Sequence, residues 1–145
     1  MLKFVALIVA LVAIPVSAST QTDREGRIEI TLVKGKHDSG VGSLFYQTQK
    51  YGLVVSGIKI DGFWTTRINL IGTALNLRSA ADIIGTYSAV DGGIATVGPA
   101  KMARLENPKG VVLEIQGVNM RRRFTLNLAG MTIKNLGWQP SPDNN

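Results

Sequence analysis

Residues 27–32 read Arg27-Ile28-Glu29-Ile30-Thr31-Leu32, with an apolar side chain at every second position. Successive side chains of a β-strand point to opposite faces. This spacing therefore predicts a strand that buries Ile28, Ile30 and Leu32 and wets Arg27, Glu29 and Thr31. A helix would need its apolar residues three and four apart, and no long helical period is visible beyond the first eighteen residues.

Working outward from this stretch, the same kind of segment recurs. Ser43–Gln49 and Tyr51–Ile60 are rich in β-branched and aromatic residues and divide near Lys50. Lys34–Gly42 mixes Gly, Lys, His, Asp and Ser without a pattern and reads as a loop. Ile58-Lys59-Ile60, then Asp61-Gly62, then Phe63–Leu70 is expected to form a hairpin closed by Gly72, because Asp-Gly suits a tight turn. Ala80-Ala81-Asp82 starts one or two helical turns. Ile83–Val90, Val111–Ile115, Arg121–Leu128 and Met131–Leu136 read as strands. They are punctuated by Asp91-Gly92-Gly93, Gly98-Pro99 and Glu106–Gly110. Short strands with turns between them predict a mainly β protein: a single antiparallel β-sandwich or small β-barrel domain with one short helix at most. The segments are shorter than the roughly 9–11 residues of an outer-membrane strand, and the chain ends on a polar stretch, so a lipid-facing barrel is not expected.

The start of the chain has a different character. Lys3 precedes an apolar run from Phe4 to Val16, and Val16-Ser17-Ala18 sets small residues before Ser19. That is the pattern of a secretory signal peptide cut between Ala18 and Ser19; the run is too short for a spanning helix, which needs roughly 20 apolar residues. The expected organisation is a signal peptide over 1–18, a flexible leader over 19–26, a β-rich domain over 27–138 and a disordered tail over 139–145. The chain has no cysteine, so an exported domain would be held by its core alone. Of its 145 residues, 16 are Lys or Arg and 10 are Asp or Glu. Setting Lys3 aside with the leader leaves a net charge of +5. In an exported protein this balance favours anionic lipid or acidic envelope glycan over nucleic acid, or serves solubility alone.

Several short segments line up in order: Lys50-Tyr51-Gly52, Gly85-Thr86-Tyr87, Ala95-Thr96-Val97-Gly98, Gln116-Gly117 and Leu126-Asn127-Leu128-Ala129-Gly130. In this order they resemble the exported bacterial family called domain of unknown function 992, over roughly residues 43–136. The resemblance implies export and a β-rich architecture and brings no activity with it. Members of that family usually carry cysteines in their first half, and this chain has none. Val97-Gly98-Pro99 also has a faint likeness to the SYLF lipid-binding domains.

Chemistry-bearing groupings are few. His37 is the only histidine and has no cysteine or second histidine to join it around a metal. No Gly-x-Ser-x-Gly elbow occurs, the carboxylates are scattered, and Asp61 and Asp91 suit their Asp-Gly turns. Arg121-Arg122-Arg123 is the sharpest feature. Strand alternation would turn Arg121 and Arg123 outward, where two guanidinium groups can hold a phosphate or carboxylate, and would turn Arg122 inward, either at the sheet end or buried and paired with Glu114. The same charges also suit a protected strand edge. Trp64, beside Phe63, and Arg67 form a second candidate ligand patch, although a core role suits Trp64 as well. The expectation is an exported periplasmic domain without enzymatic activity, metal or cofactor. Its expected partner is an anionic or amphipathic envelope ligand, lipid or glycan. The alternative is a structural or protein-interaction domain bound to envelope protein.

Overall fold

The computed structural model describes residues 24–33, 39–60, 67–99, 101–120 and 125–138. The expected leader with its cleavage point at Ala18 and Ser19, the tail, His37, Asp61, Trp64 and Arg121–Arg123 lie outside the described residues. The protein is mainly β, and its long sheet curls into a nearly closed antiparallel barrel.

The alternation that opens the chain is realised as strand β1 (Gly26–Val33), whose even-numbered residues are buried and odd-numbered ones turned outward. It lies between β2 (Ser39–Tyr46) and β4 (Arg67–Leu75), and β3 (Gln49–Ser56) pairs with β2. The strands β5 (Gly85–Thr86), β6 (Ser88–Ala89), β7 (Thr96–Val97), β8 (Ala103–Glu106), β9 (Val112–Gly117), β10 (Leu126–Asn127) and β11 (Thr132–Asn135) follow. The main sheet has the order β5-β11-β3-β2-β1-β4-β9-β8-β6, and β7 pairs with β10 in a separate two-stranded sheet.

The two ends of that order are consecutive in the chain, separated only by Tyr87. One extended segment thus pairs first with β11 and then with β8, and covalent continuity closes the barrel. Tyr87 reinforces the seam: its N–H donates to the Met131 carbonyl at 2.8 Å, and its carbonyl accepts the Gly130 N–H at 2.8 Å. A closed sheet has no long unpaired edge. Ile28, Ile30, Leu44, Leu53, Leu70, Leu113, Ile115 and Ile133 point inward into one apolar cluster. Each such side chain contributes about 1.5–3 kcal/mol through burial.

Small inward residues let the sheet bend this far. A Cβ on Gly72 would run into the Glu114 carbonyl oxygen, and one on Gly42 into the Glu29 carbonyl oxygen. Close backbone approach of this kind is where strands tolerate glycine and where a curving sheet needs it.

Several sequence expectations change. Strand β2 begins at Ser39, so Gly40 and Gly42 belong to a strand and not to a loop. The chain turns at Gln47-Thr48 rather than at Lys50. Both turn residues have positive φ, 49° and 65°, which a two-residue hairpin requires. The expected hairpin over 58–70 does not form: Ile58–Ile60 is not strand, although Ile58 and Ile60 are buried, and β4 pairs with β1 and β9 instead. Gly72 sits mid-strand and closes nothing. The reason in each case is that alternation tells which face a residue takes but not which strand it pairs with. At the boundary, the Arg24 carbonyl accepts the Leu77 N–H at 2.9 Å, tying the chain to the barrel before β1 starts. The expected helical turn is a 3-10 turn, Ala80–Ile83.

That turn belongs to a polar knot. Asn107 is buried at 4% exposure. Its amide nitrogen donates to the Asp82 carbonyl at 2.8 Å and to the Tyr87 hydroxyl at 3.3 Å. Its side-chain oxygen accepts the Lys109 and Val111 N–H groups, each at 3.0 Å. The Tyr87 hydroxyl donates in turn to the Ile83 carbonyl at 2.6 Å. Burial raises the Tyr87 phenol far above its ordinary pKa, so it stays a donor. Ahead of the turn, the Asp82 carboxylate accepts the Arg78 N–H at 3.0 Å and the Ser79 N–H at 3.3 Å. Burial pushes that carboxyl up, but those two N–H groups and the Arg78 guanidinium outweigh it and hold it below its ordinary value.

Candidate functional site

Strand register sorts the connections between the two ends of the barrel. Val33 lies opposite Ser39 and Arg67, Gly40 opposite Val55, and Leu70 opposite Gly117. The chain therefore leaves and rejoins the barrel at one end through residues 34–38, 57–66 and 118–125. The Val90–Gly92 3-10 turn and the Gly98–Lys101 bridge lie at that end too. We call it the open end. The opposite, closed end carries the Gln47-Thr48 turn, the Ala80–Ile83 turn and the Asn107 knot.

Among the described residues, Lys59, Arg67 and Lys101 lie at the open end, with Asp91.

That end also holds a cleft of about 400 Å³ lined by Gly57, Lys59, Thr96, Thr125, Asn127 and Ala129. The lining comes from three places: the stretch after β3, the outward side of β7, and the outward side of β10 with its flanks. Val97 and Leu126 turn inward to the core, so alternation turns Thr96, Thr125 and Asn127 toward the cleft. The Asn127 side-chain oxygen accepts the Ala129 N–H at 2.9 Å, which orients the amide and leaves its nitrogen for other partners. Among the described residues, neither that nitrogen, the two threonine hydroxyls nor the Lys59 ammonium has a partner, and no carboxylate lines the cleft. Such a lining suits a ligand rich in acceptors and negative charge.

A second cleft of about 500 Å³ crosses the outer face of β1, β2 and β4. Several of its polar groups are already engaged. The Thr31 hydroxyl donates to the Asn69 side-chain oxygen at 3.0 Å, and Arg27 lies 3.6 Å from Glu29. The Arg27 guanidinium also lies 4.5 Å above the Phe45 ring, with the Lys50 ammonium 5.8 Å from the same ring. The open-end cleft is therefore the better candidate. No family model, curated protein or solved structure matches this chain.

Of the site residues expected from sequence, Arg67 is described: it is the exposed first residue of β4, at the open end. Arg121, Arg122, Arg123 and Trp64 are outside the described residues. Glu114, the expected partner of Arg122, is paired with Arg104 at 3.2 Å. Sequence reasoning missed Lys59, Thr96, Thr125 and Asn127. Thr125 neighbours the arginine run, and Thr96 and Asn127 fall within the segments that carry the family resemblance; Lys59 gave no signal. The segments behind the family resemblance meet in space: Leu126-Asn127 pairs with Thr96-Val97, the Leu128 N–H donates to the Ala95 carbonyl at 2.8 Å, and Gly130 meets Tyr87 at the seam.

Proposed function

We propose that this protein is exported and that its barrel binds an anionic or amphipathic envelope component, lipid or glycan, without transforming it. The observation that carries this reading is the cleft lining, which offers an ammonium, two hydroxyls and an amide nitrogen and no competing carboxylate. Lys59, Arg67 and Lys101 at the same end, against Asp91 among the described residues, support it, because cations near a cleft draw in anions. The leader pattern at 1–18 and the resemblance to an exported family support the compartment.

Two measurements test this. In an expressing bacterium, the protein recovered outside the cytoplasm should begin at Ser19 by intact mass. Titration with inorganic phosphate or an acidic oligosaccharide should move the amide resonances of Lys59, Thr96, Thr125 and Asn127 and leave those of Thr31 and Asn69 in place. Lys59→Gln should weaken that binding about tenfold, the lower end of what one charge-assisted hydrogen bond contributes. Shifts at the Thr31–Asn69 face, or none anywhere, would defeat the reading.

A structural role has one observation in its favour: β10 pairs only with β7, which leaves a strand edge open to a partner among the described residues. Capture of an envelope protein, lost on charge reversal of Arg121 and Arg123, would favour that role.

A further inference from the structure

We infer that the open-end cleft is a sugar-acid site, holding a uronic acid residue of an acidic glycan with its carboxylate on Lys59 and its ring hydroxyls on Thr96, Thr125 and Asn127. The inference rests on the reading that the cleft accepts an anionic group, and it names that group as a sugar carboxylate. Thr96 and Asn127 lie directly opposite each other where β7 pairs with β10. The neighbouring pair carries the bond from the Leu128 N–H to the Ala95 carbonyl. Thr96 and Asn127 therefore form the close, non-hydrogen-bonded kind of pair, with Cβ atoms about 4.5–5.5 Å apart. Thr125, two residues before Asn127, is the diagonal neighbour of Thr96 at about 7–8 Å. Gly57 and Lys59 line the same cleft from the stretch after β3. A Cβ on Gly57 would run into the Gly130 carbonyl oxygen, so that stretch and the residues after β10 touch at one end of the cleft.

Charge, hydrogen bonding and shape each favour a sugar acid. Among the described residues, Lys59 is the one ionised side chain in the lining, and a sugar carboxylate carries one negative charge. A phosphate monoester carries about −1.5 to −2 at neutral pH and would keep part of that charge uncompensated. A threonine hydroxyl both donates and accepts, as a ring hydroxyl does, whereas an ionised phosphate only accepts. The strip of three short polar side chains is also wider than one small anion, so it suits a ligand with several separated polar groups. No large apolar side chain lines the cleft, and its volume of about 400 Å³ is in the ordinary range for small-molecule sites. A lipid phosphodiester matches the single charge, but its acyl chains would find no apolar wall to bury against.

The protein recovered from expressing cells is titrated with trigalacturonate, its methyl ester and inorganic phosphate, and followed by its amide resonances. Trigalacturonate should move Lys59, Thr96, Thr125 and Asn127 together and bind about tenfold more tightly than the uncharged ester, the lower end of what one charge-assisted hydrogen bond contributes. Phosphate should bind more weakly than trigalacturonate. Thr96→Val with Thr125→Val, which keeps shape and charge, should weaken trigalacturonate about tenfold, the size of two hydroxyl hydrogen bonds, and should affect phosphate less. Lys59→Gln changes an exposed side chain and tests the charge separately: it should weaken trigalacturonate about tenfold and leave the ester within about twofold. Ester binding as tight as the free acid, phosphate binding as tight as trigalacturonate, or trigalacturonate binding that ignores either variant overturns the sugar-acid site. Phosphate shifts at Lys59 and Asn127 without trigalacturonate binding overturn it and leave the anion-binding reading standing. So does binding to vesicles of phosphatidylglycerol without binding to trigalacturonate. Absence of shifts with every probe overturns the two together.

Discussion

The closed and open ends of the barrel differ in what their polar groups do. At the closed end they are spent on one another: Asn107 joins the Ala80–Ile83 turn, the Tyr87 seam and the turn leading into β9, and Asp82 holds the N–H groups ahead of its own turn. At the open end Lys59, Thr96, Thr125 and the Asn127 amide nitrogen face a cleft without partners among the described residues. Buried polar groups with a full set of bonds rigidify a fold, whereas unsatisfied donors in an accessible cleft remain for a ligand. Stability and recognition are thus separated along the barrel axis.

Three substitutions test this separation. The largest effect is expected from Asn107→Ala, which strands the Val111 N–H, the Asp82 carbonyl and the Tyr87 hydroxyl in an apolar setting. Since each unsatisfied group costs about 1–3 kcal/mol, the expected loss is about 3 kcal/mol in urea unfolding. A loss below about 1 kcal/mol would mean that water replaces Asn107 and that the knot does not hold the seam.

A smaller effect is expected from Asp82→Ala, about 1 kcal/mol, as for removal of a helix-start cap. Its pH dependence gives the sign. The folded pKa of Asp82 lies below the ordinary carboxyl value of the unfolded chain, so its stabilisation is complete above that ordinary value and is lost as the pH falls through the lowered one. Chemical denaturation of both proteins from neutral to acid pH should therefore show the gap between them narrowing as Asp82 protonates. A gap that widens in acid would reverse the assignment.

The smallest effect on stability is expected at the open end. Lys59→Gln with Lys101→Gln should change unfolding by less than about 0.5 kcal/mol, as for exposed charges without partners. A clear loss of stability would show that this end contributes to holding the barrel and would erase the contrast.

Much of the fold was legible in particular residues. Ile28, Ile30 and Leu32 alternate as a half-buried strand and are buried as one. Ala80-Ala81-Asp82 starts a helical turn, and Gly98-Pro99 interrupts a strand. Gln47-Thr48 was not legible, because neither residue advertises the positive φ that the surrounding pairing imposes. Asn107 read only as part of a turn, since composition does not distinguish a wetted asparagine from one buried among four partners. At the candidate site Arg67 is the expected residue that the structure describes, at the first position of β4, while Lys59 gave no signal in the sequence.

By itself the amino-acid sequence determined the class: short alternating segments punctuated by glycine and aspartate make strands, and the missing cysteines leave the core to hold them. That information is local, carried by which face each side chain takes. Only the tertiary structure decided that β4 crosses to β1, that residues 85–89 join both margins of the sheet, and that Lys59, Thr96 and Asn127 line one cleft. These depend on pairing between residues far apart in the chain, and pairing is set by how the apolar faces close over one another, which no local pattern encodes.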